Sequence, residues 1–534
     1  MSVTIDHPTL KGAIDKLTTL ANSIDSQRSA LTSGTPISLP SLSEGTLGQT
    51  SAWLRDQEPM LQGLHDIALL LTEKGATVAS FVVGSATTDI KKLLGETLAD
   101  KAEMGNPNFP EDQAKYLEIF QRWEYDPGTM SSFQTALGPE GTLRTLSMWA
   151  EAPADRATGD APNETQTDLV EAMKQSLVSA NQPGGFTDTQ SVDFAHGLVA
   201  AATIDSEDYY GRGPYNPSGA LNYLLYDSTF NDKFIGTVAA DLDQYERQDN
   251  DGHSGLWSNR PDQGVAFGDY MDYGHHDPYS GNMDPMTGLM TAMSHNPAVA
   301  LDFFADDDAG DGETPRSEYY IKDRNWDRDD YNGISQVLDA ATTDESIING
   351  SPEDQQKAAM LASQTVHYFS ERDNKDDLPE ILHRFPEDGA SEDLAHILST
   401  YMPSVQTGMD QQLNEGDGPD AGSFPIDSLG GRDTAPMPVF YEDGLKNFML
   451  MSTATDQGLG ELNAGINDWR GENLGALADT YQAAYEHADG TTDNSDVLSV
   501  TDAKEALENG IKSDARLQGF LLGTMGEDEI HDAA

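Results

Sequence analysis

Asp284-Pro285-Met286-Thr287-Gly288-Leu289-Met290-Thr291-Ala292-Met293, followed closely by Asn296-Pro297-Ala298-Val299-Ala300-Leu301-Asp302-Phe303, carries the pattern that decides the fold. In each half a short polar side chain precedes a proline, and apolar residues follow at steps of one, three and four. Such a side chain can accept from the free N–H groups of a first helical turn. Proline is tolerated just after it because the missing N–H has no partner there. Apolar residues at those steps share one helical face. The same device recurs at Asn216-Pro217, before Leu221, Leu224 and Leu225, and at Ser351-Pro352. Alternating strand patterns are scarce. The chain is therefore predicted to be all-α: an N-terminal helical hairpin followed by a large multi-helix body with long acidic loops.

Working outward, Leu10, Ile14, Leu17, Ala21, Ile24 and Leu31 line one face of a helix over 9–32. Pro36 and Pro40 break the chain. A second helix runs from about Thr46 through Trp53, Leu54, Leu61, Leu64, Ile67 and Leu71, with a kink expected at Pro59 and a C-cap at Gly75. A shorter segment carries Ile90, Leu93, Leu94 and Leu98. Further helices are predicted at 111–124, 164–181, 188–203, 231–247, 331–342, 353–371, 391–402, 440–466, 473–488 and 501–524. Loops rich in Asp, Gly, Asn and Tyr occupy 249–284 and 305–318, and a polar Gly/Asp/Pro stretch, 414–436, separates two helical groups near the end. These breaks divide the chain into a hairpin domain at 1–105, a helical domain with Asp/Gly/His-rich loops at 106–350, and a C-terminal helical domain at 351–534.

Charge limits the partners. With 91 Asp and Glu against 31 Lys and Arg, the formal net charge is −60. Such a surface repels nucleic-acid phosphates and anionic lipid heads, and favours cations, basic partners or a high-salt setting. Cysteine is absent, which removes disulfides, thiolate catalysis and Cys-type zinc sites together. Met1 to Lys16 shows no basic region followed by an apolar one, so no secretory signal peptide is expected. No apolar run approaches the ~20 residues of a membrane span.

The N-terminal hairpin resembles the WXG-type helical hairpins of type VII (ESX) secretion substrates. Pro214-Tyr215-Asn216-Pro217-Ser218-Gly219-Ala220-Leu221, Asp284-Pro285-Met286-Thr287-Gly288, Asp330-Tyr331-Asn332-Gly333-Ile334-Ser335 and Ile397-Leu398-Ser399-Thr400-Tyr401-Met402-Pro403 are similar to an actinobacterial all-helical family of unknown function. That resemblance covers roughly 110–530 and implies a type VII or toxin-related setting. The hairpin turn lacks Trp-x-Gly; a Trp469-Arg470-Gly471 stands instead between two predicted helices. Tyr485 to Asp489 matches the Tyr-x-x-x-Asp/Glu form of a type VII export signal, as do Tyr223 to Asp227, Tyr245 to Asp249, Tyr273 to Asp277 and Tyr319 to Asp323. In so acidic a chain such matches also arise by chance. Trp469, Gly471, Tyr485 and Asp489 are the candidate partner or export residues.

The loop at 249–284 is the candidate metal site. Asp249, Asp251, Asp269, Asp272, His275, His276 and Asp277 lie among glycines, and calcium needs six to eight oxygens from a flexible loop. The order of an EF-hand is not met, and a solvated acidic loop with capping aspartates is the plainer reading. His253, His275, His276 and His295 are too scattered to spell a zinc motif. No nucleophile elbow, phosphate loop or dinucleotide fingerprint occurs. The dense cluster Asp323 to Asp330 around Trp326 reads as a salt-bridged loop packing on that ring, or as a partner contact; Met286, Met290 and Met293 read as core.

The expectation is a non-enzymatic, type VII secretion-associated secreted protein or effector carrier. It would act through helical contacts with a protein partner, such as a small helical secretion protein, and leave by a leaderless route. No cofactor is expected, with calcium the one the loop composition admits. The alternatives are a metal-dependent hydrolase or toxin-like effector using the 249–284 loop, and a cytoplasmic interaction protein of a salt-adapted cell.

Overall fold

The computed structural model describes residues 2–32, 44–72, 77–82, 87–104, 110–150, 164–203, 215–248, 256–257, 267, 284–305, 314–326, 329–373, 375–383, 389–411, 419–422, 436–488 and 499–524. Helix accounts for 82 % and strand for 3 % of it, so the all-α expectation holds. The chain forms two compact units, residues 1–224 with 261–270, and 225–260 with 271–534.

The first unit opens with a strand, β1 (Ser2–Asp6), which the sequence reading did not foresee. It pairs antiparallel with β2 (Val78–Val82), Ile5 standing opposite Ala79. Between them α1 (His7–Thr32) and α2 (Glu44–Leu71) form the predicted hairpin, α2 running through Pro59. Ile5, Ala68 and Ala79 form a small core, with Val3, Leu10, Leu64 and Phe81 packed against it. Then follow α3 (Thr87–Met104), α4 (Pro110–Trp123), α5 (Pro127–Ala150), α6 (Glu164–Ala180), α7 (Asp188–Ala202) and α8 (Pro217–Leu225).

Of these, α5 was missed. Its start uses the same device as its neighbours: Asp126 precedes Pro127 and accepts from Thr129 N at 2.8 Å. Gly138, with φ of 68°, and Pro139 break its period midway. α3 packs on α5 at Gly95, where a Cβ would stand 2.8 Å from Phe133 N. α4 joins α2 through Asp66, whose buried carboxylate accepts from Arg122 (2.6 Å) and Trp123 Nε1 (2.8 Å). Burial works to raise the Asp66 carboxyl, and hydrogen bonds from His65, Trp123 and Arg122 outweigh it, holding it below the ordinary value.

The second unit comprises α9 (Asp232–Asp243), α10 (Pro285–Ser294), α11 (Pro297–Ala305), the single turn α12 (Arg316–Glu318), α13 (Asn332–Thr343), α14 (Glu345–Ile348), α15 (Pro352–Ser370), α16 (Leu378–His383), α17 (Ala390–Thr400), α18 (Met402–Gln411), β3 (Asp420–Gly422), β4 (Met437–Val439), α19 (Glu442–Ser452), α20 (Asp456–Ala488) and α21 (Val500–Thr524). α13 is the hub: it packs on α10, α11, α15 and α17 and buries Ile334, Val337, Leu338 and Ala341. Met286, Met290 and Met293 are fully buried, as their spacing implied. β3 and β4 pair antiparallel beside α15. The rest of the 414–436 stretch lies outside the described residues.

Three local expectations need correction. Asn216, Asp284 and Ser351 do cap their helices, but Asn296 does not cap α11. With its amide nitrogen turned to meet oxygen, Asn296 donates to Phe230 O (3.1 Å) and Asp232 Oδ1 (3.3 Å). The helix predicted over 440–466 breaks after Ser452, where Thr453 carries φ of −106°. And Trp469-Arg470-Gly471 is no connection: it lies inside the 33-residue α20. Glycines in this helix let α20 approach α17, Gly465 meeting Ser399 Cα at 2.9 Å from its would-be Cβ. A sequence reader takes such glycines as breaks, whereas helix packing supplies what propensity withholds.

Candidate functional site

The second unit encloses a charged core. α9 ends at Asp243 and passes into a π-helical turn, Gln244–Gln248; α12 passes into another, Tyr319–Asp323. A π turn inserts one residue into the helical ladder and re-aims the side chains around it. Here the first turn directs Glu246 inward and the second directs Tyr319 and Tyr320 inward, with Arg324 immediately after. Glu246 accepts from Arg324 Nε (2.7 Å) and Nη2 (3.1 Å), from Tyr319 Oη (2.7 Å) and from Trp257 Nε1 (2.7 Å). Arg324 Nη2 also donates to both oxygens of Asp284, at 2.8 and 2.7 Å. The guanidinium lies 4.0 Å from the centre of the Trp326 ring. Asp243 accepts from Arg247 Nε (2.7 Å), Arg316 Nε (3.1 Å) and Tyr320 Oη (3.0 Å). Arg372 closes the assembly, donating to the carbonyls of Ile321 and Arg324 and to Tyr331 Oη. Of the cluster around Trp326, Arg324 is thus ion-paired and packed on that ring; residues 327–328 lie outside the described residues.

Burial and pairing set the charges. Burial pushes Glu246 up, but Arg324, Tyr319 and Trp257 outweigh it and hold the carboxyl below its ordinary value. Burial pushes Asp284 up, with Arg324 working against it. Burial also drives the Asp329 carboxyl up to about 7, against a single hydrogen bond from Gly333 N. Asp329 begins a turn in which Asp330 (φ 51°) and Tyr331 (φ 65°) are both left-handed. Non-glycine residues hold that conformation only where surrounding contacts enforce it. Tyr331 is fully buried under Arg372, whose guanidinium sits 4.8 Å from the ring centre. Arg324 and Glu246 are also fully buried, so this core fixes positions and stores charge; it is not open to a solvent-borne substrate.

The sequence-derived site residues fare differently. Asp249, Asp251, Asp269, Asp272, His275, His276 and Asp277 all lie outside the described residues, as do His253 and Asp489. Within the 249–284 span, Leu256, Trp257, Phe267 and Asp284 are described, and Trp257 and Asp284 are tied into the charged core. His295 pairs with Asp227 at 2.9 Å. Among the described residues no three His, Asp or Glu side chains are arranged to hold a metal ion. Trp469 is half-buried and donates to Gln406 Oε1 at 2.7 Å, an oxygen that also accepts from Asn473 Nδ2 at 3.1 Å; this ties α20 to α18. A Cβ at Gly471 would meet nothing within 4 Å. Tyr485 is 60 % exposed, whereas Tyr223 and Tyr319 of the other export-signal matches are buried and so are not presented to a partner. Sequence reasoning flagged the Trp326 cluster, which contains Asp329 without distinguishing it, and missed Glu246; burial is what sets both apart.

In the first unit the hairpin offers a different kind of surface. Thr18 Oγ1 donates to Glu58 (2.7 Å) and Arg55 reaches Asp25 (2.6 Å), so α1 and α2 run antiparallel. Leu20 follows the buried Ile14 by six positions, and Trp53 follows the buried Leu47 by six. At about 100° per residue, each stands about 120° round its helix from the contact line. In an antiparallel pair the same rotation carries both to one side. Leu17, Leu20 and Ile24 from α1 and Trp53, Gln57 and Met60 from α2 share that side; its centre carries no charge, and Lys16 and Arg28 stand at its margins, a turn from Leu20 and Ile24. The β ribbon covers this face at the open end of the hairpin, through Leu10 and Leu64. Nearer the hairpin turn, Trp53 is 60 % and Leu20 49 % exposed.

No curated protein and no solved structure matches the chain. Residues 215–534 match the model of a family of unknown function, DUF6571; they include the whole Arg324 core but not the N-terminal hairpin. Since the match spans more than half of the chain, the protein belongs to this family of unknown function, DUF6571.

Proposed function

We propose that the protein performs no chemistry of its own and is a type VII secretion-associated secreted protein or effector carrier, which engages a helical protein partner through its N-terminal hairpin. The observation that carries this reading is the face holding Trp53 and Leu20, uncharged at its centre. In a chain of net charge −60, a face two helices wide with no charge at its centre is the surface that can be desolvated at little electrostatic cost. A partner helix laying apolar residues at steps of three and four against Leu20, Ile24 and Trp53 fits it. The resemblance of the hairpin to WXG-type modules supports the secretion setting. So does the resemblance of the later phrases to an actinobacterial family found in such contexts.

The test is export. The tagged full chain and its Trp53→Asp variant are expressed in the native host and in a strain lacking the type VII ATPase, and cell and medium fractions are compared by immunoblot. Medium signal that disappears in the deletion strain, and is reduced for Trp53→Asp, is the expected result. Signal confined to cells in both strains sinks the secretion reading and leaves a cytoplasmic interaction protein.

A further inference from the structure

The guanidinium groups of the charged core are shared unevenly among its carboxylates. Asp243 is gripped by Arg247 and Arg316, and Glu246 and Asp284 divide Arg324 between them. Arg372 is directed to carbonyls and to Tyr331. Asp329 pairs with none of them. Its Oδ2 accepts from Gly333 N at 3.1 Å; its Oδ1 is buried and accepts nothing. Arg324 Nη1 is likewise buried and donates to nothing. An unused acceptor and an unused donor thus lie in one charged core, and two consecutive left-handed residues, Asp330 and Tyr331, fix the turn that carries the acceptor.

A buried carboxylate without a counter-ion is neutralised by a proton rather than left charged. The groups around Asp329 bear on this: burial, Asp284 at the start of α10 and Asp330 beside it push its carboxyl up, while Arg324 is the cation that pulls it down. The N-terminus of α13 favours the charged form, through the Gly333 bond.

We propose that Asp329 binds one proton and that this proton latches the turn 329–333 onto the first turn of α13. Protonated, the carboxyl is neutral and the turn stands as described. Deprotonated, the carboxylate is repelled by Asp284 and Asp330 and drawn to the idle Nη1 of Arg324; together these outweigh its stronger hold on Gly333 N, so that bond is given up and the left-handed pair relaxes. The core of the second unit is then a proton-responsive device, independent of the hairpin and of the secretion reading.

Hydrogen exchange read by mass spectrometry on the full chain, from pH 5.5 to 8.5 at fixed ionic strength and scaled for the intrinsic pH dependence, tests it. Peptides covering residues 324–343 are expected to lose protection at least tenfold as one proton leaves, with a midpoint near 7. Asp329→Asn, the neutral mimic, keeps the low-pH protection throughout. Asp66→Asn, a control at a buried acid of the first unit, leaves the transition in place. Wild-type protection that does not change, or an Asp329→Asn protein that still shows the transition, overturns the proposal. So does an Asp329→Asn protein that cannot fold, because the neutral form would then not be the native one.

Discussion

Arg324 and Asp284 are joined by one nitrogen: Nη2 of the guanidinium reaches both carboxylate oxygens, while Oδ1 of the same aspartate caps α10 by accepting from Met286 N at 3.0 Å. The start of α10 is therefore bolted to the π turn that precedes Arg324. Asp284 also closes the acidic 249–284 loop, so the loop ends on a buried ion pair.

Removing Arg324 leaves Glu246 and Asp284 buried without a counter-ion. Arg324→Met is expected to cost about 3–5 kcal/mol in the second unit, measured by denaturant unfolding. Arg324→Lys should recover only part, since an ammonium cannot serve Glu246 and Asp284 with the same fork. A loss of under about 0.5 kcal/mol, as for an ordinary surface substitution, would show that the core is not held by this pair.

Stability of the second unit should fall as pH rises. Asp329 has an ordinary value of 3.8 and a folded value of about 7, so the folded state holds its proton more tightly than the unfolded chain. The stabilisation is complete below pH 3.8 and is lost as pH rises to about 7, and by the linkage relation it amounts to about 4 kcal/mol. Asp393 is shifted in the same direction by burial and by Asp339, and it adds to the trend. Denaturant midpoints at pH 5 and 8 read the effect, and Asp329→Asn should reduce the difference. A midpoint that rises with pH contradicts the assignment.

Asp66 should act with the opposite sign in the first unit. Its carboxyl is held below the ordinary value of 3.8, so its contribution is present above that value and is lost as pH falls below it. Asp66→Ala leaves Arg122 and the Trp123 N–H without their acceptor and is expected to cost about 2–4 kcal/mol. Thermal unfolding followed by fluorescence of the tryptophans reads it.

Trp53→Asp should leave the melting temperature nearly unchanged, within about 0.5 kcal/mol in stability, because the ring is 60 % exposed. Its effect is expected in export and partner capture. A large loss of stability would mean that Trp53 belongs to the core of its own unit.

Gly95→Ala tests the α3–α5 contact. The added methyl would stand 2.8 Å from Phe133 N and against Thr129 O, both backbone atoms that cannot swing aside. A loss of about 1–3 kcal/mol is expected on unfolding.

Much of this was legible in the chain. Periodic Leu, Ile and Met with a polar residue and proline ahead of them specify capped helices locally, and α8, α10 and α15 start where Asn216, Asp284 and Ser351 place them. The hairpin followed from apolar residues recurring along one face of each of two helices with prolines between them. What failed was local too: Gly138-Pro139 hid α5, and the glycines of α20 suggested a break.

The sequence by itself determined the helical class, the starts of most helices and the acidity of the surface, because each is set by residues within a turn or two of one another or by composition alone. Only the tertiary structure decided which charges matter. Glu246, Asp284, Arg324 and Asp329 span more than eighty positions of the chain and look like any of its other charged residues. Burial distinguishes them: away from water a carboxylate must find a guanidinium or a proton, and which of the two it finds depends on neighbours that folding brings from distant segments. The hairpin face, uncharged at its centre, is intermediate. Its residues are written in the sequence, but the antiparallel pairing of α1 and α2 is what brings Leu20 and Trp53 to the same side.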